Sequence, residues 1–83
     1  MKVTVKYFAS IREAVGLGSE SVATDATTLA ALRDELIARG GAYADALARG
    51  RSVRLAVDQV MSDETSALVE GAEVAFFPPV TGG

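Results

Sequence analysis

The last six residues, Pro78-Pro79-Val80-Thr81-Gly82-Gly83, are where this sequence concentrates its chemistry. Two prolines stiffen and extend the backbone, and the residues after them offer little apolar area for packing. Fully extended, six residues reach roughly 20 Å. Gly82 and Gly83 lack Cβ atoms, so the tip is thin enough to enter a channel that any other residue would block. Such a tip carries the Gly83 carboxylate. As a carboxylate it is inert, but adenylation by ATP converts it to an acyl phosphate anhydride that a thiol, an amine or a persulfide sulfur can attack. Exchange of the activated oxygen for sulfur gives a thiocarboxylate, a soft anionic nucleophile that requires no side chain. A terminal Gly-Gly alone also fits a frayed end; placed directly after a strand and two prolines, with no linker between, it reads as a working group.

Side-chain chemistry has few candidates by comparison. The 83 residues include no His, no Cys and no Trp. That excludes Ser-His-Asp and Cys-His catalysis, Cys/His zinc sites, iron–sulfur ligation and disulfides, and no bound metal or cofactor is expected. Eleven acidic residues against eight basic give a net charge of −3, which argues against a phosphate-backbone binder. The local exception, Arg49, Arg51 and Arg54, reads as a solvated turn and the exposed face of the next strand rather than an anion site. No apolar run approaches the roughly 18 residues of a membrane span. The amino terminus opens on alternating Val and Lys, so no secretory leader is expected and a cytoplasmic location is the default.

The elements that position the tail follow from periodicity. Lys2 to Ala9 alternates polar and apolar, a strand with Val3, Val5 and Tyr7 on one face and Phe8 on the other. Ser10-Ile11-Arg12-Glu13 matches a capping box and predicts a short helix to Val15, closed by Gly16. Gly18 to Val22 reads as a second strand. Leu29, Leu32, Leu36 and Ile37 form one stripe of a helix capped by Thr28, with Arg39 in its last turn and Gly40-Gly41 ending it. Ala42 to Leu47 fits either a further helical turn or an ordered loop. Ser52 to Asp58 is a third strand with Val53, Leu55 and Val57 on one face. Asp58-Gln59 turns into a very short strand at Val60-Met61, and a polar loop, Ser62 to Thr65, follows. Ala67-Leu68-Val69 offers a single apolar turn. The last strand, Glu73 to Phe77, stops at Pro78-Pro79 because proline lacks the donor a ladder needs.

This order predicts one domain, residues 1–79, of the α+β class: a mixed sheet with one main helix packed across one face, followed by a flexible tail, residues 80–83. At 49% hydrophobic the chain has enough apolar content to fill a core of this size. Pairing of the last strand with the first would put both in the middle of the sheet and send the tail out from its centre.

The segment Gly71 to Gly83, ending Phe76-Phe77-Pro78-Pro79-Val80-Thr81-Gly82-Gly83, resembles the end of the small subunit of molybdopterin synthase, the MoaD family of ubiquitin-like sulfur carriers. The likeness continues at Tyr7-Phe8-Ala9, Ile11-Arg12-Glu13 and Gly16, at Thr28 with Ala31-Leu32-Arg33, and at Ala56-Val57-Asp58-Gln59, and so covers essentially the whole chain. It implies a β-grasp fold. It implies that a ubiquitin-activating-like adenylyltransferase uses ATP to adenylate Gly83, which becomes a thiocarboxylate. Inserted into the large subunit of a heterotetrameric synthase, this would donate sulfur to cyclic pyranopterin monophosphate to form the molybdopterin dithiolene. The carrier is then a co-substrate, and catalytic side chains belong to the large subunit. Val80, Thr81 and Gly82 would line the inserted tail. By matching motifs the partner face falls on Phe8, Met61 and Phe77, and the alternation independently puts Phe8 and Phe77 opposite the core. Asp58 departs from the family, which more often has Asn there. Within the same fold, a sulfur carrier for thiamine thiazole synthesis or a ubiquitin-like protein modifier is the alternative; outside it, a noncatalytic interaction domain with a meaningless tail.

Overall fold

The computed structural model describes residues 1–79; the expectations for Val80, Thr81, Gly82 and Gly83 lie outside the described residues. Eight elements follow one another: β1 (Lys2–Tyr7), α1 (Ala9–Val15), β2 (Ser19–Ala23), α2 (Leu29–Ile37), α3 (Gly41–Leu47), β3 (Arg54–Val57), β4 (Val60–Ser62) and β5 (Glu73–Phe77). The five strands form one mixed sheet in the order β2-β1-β5-β3-β4. β1 and β5 are parallel neighbours, Val5 opposite Val74 and Tyr7 opposite Phe76; the other pairings are antiparallel. Both central strands are flanked on each side, so their buried face reads as Val, Tyr and Phe.

The core lies between one sheet face and the helices. Val3, Val5, Tyr7, Val74 and Phe76 from the sheet meet Leu29, Leu32, Leu36 and Leu47, each at most 2% exposed. α2 supplies three of these leucines at the predicted spacing, and Ile37 packs at the margin. Its first turn is capped as expected: Thr28 Oγ1 accepts from the Ala31 amide at 3.2 Å.

Three local expectations are corrected, and one left open is settled. The capping box at Ser10 does not form; the helix begins earlier, after Phe8, and has no side-chain cap. The Phe8 carbonyl accepts from the Ile11 and Arg12 amides instead, and Ala9 takes a positive φ of 50° to turn out of the strand. Arg39 lies beyond α2, whose last turn holds no cation; it pairs with Glu20 at 2.8 Å, and a full carboxylate is a better acceptor than the partial charge of a helix end. Ala42 to Leu47 resolves as helix α3. Ala67-Leu68-Val69 is extended rather than a helical turn, because Leu68 donates its amide to Thr27 and Ala67 bridges Thr28.

Candidate docking face and tail root

The face of the sheet opposite the helices is built by register. Phe77 of β5 is the Cα partner of Arg54 in β3, Ala75 pairs with both Ala56 and Lys6, and Ala56 pairs in turn with Met61 of β4. These residues share a face because every second side chain points the same way. Phe8 joins them by extending the ladder one step past β1, its amide donating to the Phe76 carbonyl at 3.1 Å. The Phe8 and Phe77 rings then meet edge to face, 6.3 Å between centroids. Phe8 is 45% exposed and Met61 55%; Phe77 is half-buried.

The three residues expected on one face are therefore on one face, two of them in contact. Met61 is reached across a floor of two alanines, Ala56 and Ala75. Small side chains there keep the sheet shallow between the aromatic pair and the methionine, so a partner surface can lie flat across all three. Ala56 and Ala75 carried no signal of their own in the sequence beyond their place in the alternation.

The tail leaves this patch at its root. β5 runs parallel to β1 through the sheet centre, and Pro78-Pro79 continues from Phe77 beside Phe8. A shallow depression beneath the prolines is lined by Ser10, Ile11, Arg51 and Val53. The start of β5 is fixed as well: the Asp58 amide donates to the Glu73 carbonyl at 2.8 Å, and the Asp58 carboxylate accepts from the Glu73 amide at 3.0 Å. The Asp at this turn thus keeps an acceptor at the position where the family more often has Asn.

Two polar clusters that sequence reasoning missed hold the scaffold in shape. Arg33, 4% exposed on α2, donates through Nε to the Leu47 carbonyl at 2.8 Å and through Nη2 to those of Ala48 and Arg51. Its Nη1 reaches Glu64. Arg49 is the exposed turn residue expected, and from the turn it also reaches Asp34 and Glu64, which joins it to this cluster. Arg54 is exposed on the strand as expected.

The second cluster surrounds Glu20 of β2, whose carboxylate accepts from the hydroxyls of Tyr7 (2.8 Å) and Tyr43 (2.7 Å) and from Arg39. Burial alone would raise the Glu20 carboxyl, but the hydrogen bonds from Arg39, Tyr43 and Tyr7 outweigh it and the pKa is lowered. Burial and the Glu20 hydrogen bond raise both tyrosines. None of these groups lies on the docking face; their role is to tie β1, β2 and α3 together. Among the described residues no group of three acidic side chains could hold a metal ion, and no helix is long and apolar enough to cross a membrane.

A five-stranded mixed sheet wrapped on one principal helix, with parallel first and last strands at its centre, defines a ubiquitin-like β-grasp protein. The family model described as the ThiS family matches residues 5–83, and the chain belongs to that family. It is 43% identical over 81 residues to the molybdopterin synthase sulfur carrier subunit of Escherichia coli (strain K12), covering 98% of this chain and 99% of that protein. The protein of the same name from Haemophilus influenzae is 38% identical over equal coverage. Among solved structures, SAMP1 from Haloferax volcanii superposes with a TM-score of 0.78 at 25% identity, both chains fully covered. A complex of subunits 1 and 2 of the molybdopterin-converting factor from Helicobacter pylori contains a chain with a TM-score of 0.70 at 25% identity, again with both fully covered.

Proposed function

We propose that this chain is the sulfur carrier subunit of a molybdopterin synthase. The observation that carries the reading is the tail root: the central strand β5 delivers Pro78-Pro79 directly from an aromatic pair, exposed Phe8 and half-buried Phe77, so docking the face and inserting the tail are one event. Near-full-length identity to two proteins named for that role supports it.

In this reading a ubiquitin-activating-like adenylyltransferase joins the Gly83 carboxylate to the AMP moiety of ATP, with pyrophosphate leaving. A sulfur donor then displaces AMP and leaves a thiocarboxylate. With Phe8, Met61 and Phe77 seated on the large subunit, Val80, Thr81 and Gly82 pass into its channel. The Gly83 sulfur there forms a C–S bond to cyclic pyranopterin monophosphate in place of a carbon–oxygen bond, and water then cleaves the Gly83 thioester, so the sulfur stays on the product and the carrier leaves as a carboxylate. A dithiolene has two sulfurs, so two charged carriers are consumed per product; in the heterotetramer the two small subunits stand at opposite ends of a large-subunit dimer. The carrier binds no cofactor and acts as co-substrate, and a cytoplasmic location belongs to the same proposal. The relative solved as a complex of subunits 1 and 2 supports a large-subunit partner.

The test is intact-mass measurement after co-expression with the activating enzyme and a sulfur source. The expected shift is one oxygen replaced by one sulfur; an unmodified carboxylate under conditions that charge a known carrier would overturn the proposal. Formation of isopeptide links to lysines would favour a modifier instead, a reading weaker in sequence since SAMP1 is 25% identical against 43% for the carrier subunit.

A further inference from the structure

The exposed sheet face differs in charge from the chain as a whole. The register puts Lys2, Lys6 and Arg54 on it against one acid, Glu73, although the chain carries a net charge of −3. One pair of these charges is already matched: Lys6 meets Glu73 at 3.0 Å, and Asp58, in the turn at the edge, accepts from the Glu73 amide. Lys2 lies at the far end of β1, away from the aromatic pair; its backbone amide donates to the Glu70 carboxylate, and among the described residues no salt bridge includes its ammonium.

Arg54, beside Phe77, is unmatched as well. It is exposed and lies directly opposite Phe77, and among the described residues no salt bridge includes it. It lines an open groove of about 420 Å³ that runs from Met61 past Asp63 and Glu64. Both acids are committed elsewhere: Glu64 to Arg33 and Arg49, and Asp63 to the Thr65 amide and hydroxyl.

A cation in this position constrains whatever covers Phe77. Docking that seats the ring also takes water away from the guanidinium beside it, and an unmatched charge under an interface is strongly unfavourable. A guanidinium is satisfied best by a bidentate carboxylate. Resting on the docking reading above, we infer that Arg54 pairs with an Asp or Glu of the large subunit at the edge of the Phe77 contact, and that this pair fixes partner choice and orientation. The acceptor belongs to the partner protein rather than to the anionic substrate. With the tail extended, Gly83 stands four residues beyond Pro79, roughly 13 Å away, so Arg54 is out of reach of the reacting end.

The experiment compares association and dissociation rates with the cognate large subunit, at low and at high salt, for the unaltered chain, Arg54→Glu, Arg54→Gln and Phe77→Ala. Arg54→Glu is expected to weaken binding about tenfold or more at low salt, through both slower association and faster dissociation, with Arg54→Gln intermediate. Both Arg54 variants should show a shallower salt dependence than the unaltered chain. Thermal melting of each variant reports that the fold is intact. If the unaltered complex forms and Phe77→Ala weakens it while Arg54→Glu does not, the Arg54 pairing is overturned and the docking face stands. If no complex forms, or if Phe77→Ala and Arg54→Glu both bind like the unaltered chain, the docking reading falls and the pairing with it.

Discussion

The Phe8 ring stands edge-on to the Phe77 ring, 6.3 Å between centroids, although the two residues come from opposite ends of the chain. The parallel pairing of β1 with β5 creates this contact, since it brings Phe77, the last residue of β5, and Phe8, one step past β1, to the same end of the sheet. It also means that the residue leading into the first helix and the residue leading into the tail form one surface. An edge-to-face pair contributes about 1 kcal/mol beyond its buried area. Left exposed, it contributes less to folding than a partner pocket gains by enclosing it.

Phe8→Ala and Phe77→Ala should therefore separate binding from stability. Each variant is expected to lower unfolding free energy by no more than about 1.5 kcal/mol. Each should weaken the complex with the large subunit by about 2 kcal/mol, the scale of an aromatic hot spot. The double variant should lose less than the sum of the two, because the rings touch. Urea denaturation together with titration calorimetry measures both quantities, and a large stability loss with unchanged affinity would move these rings from the interface to the core.

Arg33 is the opposite case, a charge whose work is internal. Its three contacts to the carbonyls of Leu47, Ala48 and Arg51 close the end of α3 and the chain that follows it, and its fourth, to Glu64, ties that segment to the loop after β4. Arg33→Met keeps the apolar stem but leaves these acceptors without their donor. The expected cost is about 3 kcal/mol of stability. Arg33→Lys should recover only part of it, since one ammonium cannot span the fork. Equilibrium unfolding of the two variants decides the point; Arg33→Lys indistinguishable from the unaltered chain would show that charge alone suffices.

These two cases also mark what the sequence could convey. The strand alternation at Val3, Val5 and Tyr7 and the stripe Leu29, Leu32, Leu36 state which face is buried, and the composition of the last strand states that it is central. That Phe8 and Phe77 share the opposite face was legible for the same reason: Phe8 falls out of phase with its strand, and Phe77 lies opposite Phe76. Arg33 was not legible, because a cation next to Leu32 fits an exposed helix flank just as well. What buries it is the arrival of carbonyls from residues 47–51, a tertiary fact. Ser10 misled in the opposite sense: its capping pattern is local and sound, but the chain had already turned out of β1 at Ala9. The chemistry proposed for the tail rests on covalent structure alone, since residues 80–83 lie outside the described residues.

The hairpin between β3 and β4 carries avoidable strain. Asp58 and Gln59 join Val57 to its partner Val60, and both have positive φ, 49° and 69°, as a two-residue type I′ connection requires. Asp tolerates this region and Gln does so poorly. Gln59→Gly should raise stability by roughly 0.5–1 kcal/mol, the relief of strain exceeding the added freedom of the unfolded chain. Asp58 is best left in place, since its carboxylate accepts from the Glu73 amide. Urea midpoints read the effect; a lowered midpoint for Gln59→Gly would mean that the turn is not strained.

The Glu20 cluster gives the fold a defined pH window. The Glu20 carboxyl is lowered below its usual 4.5 by Arg39, Tyr43 and Tyr7 acting against burial. Its stabilising effect is thus fully present above about 4.5 and is lost as pH falls through the depressed folded value. The tyrosines act with the opposite sign. Burial and the Glu20 carboxylate raise Tyr7 and Tyr43 above the usual 10.0, so above that pH the unfolded chain ionises first and stability falls again. Unfolding free energy should be level across neutral pH and decline on both sides. Glu20→Gln is expected to cost about 2 kcal/mol at neutral pH, by weakening two hydroxyl contacts and removing the partner of Arg39. The same variant should flatten the acid decline without abolishing it, because Asp63 is also lowered, by its hydrogen bonds from Thr65 and Ser66. Urea unfolding of both proteins from about pH 2 to about pH 12, past the usual carboxylate and tyrosine values on either side, measures the two limbs. An acid limb equally steep in Glu20→Gln would place the responsible carboxylate elsewhere.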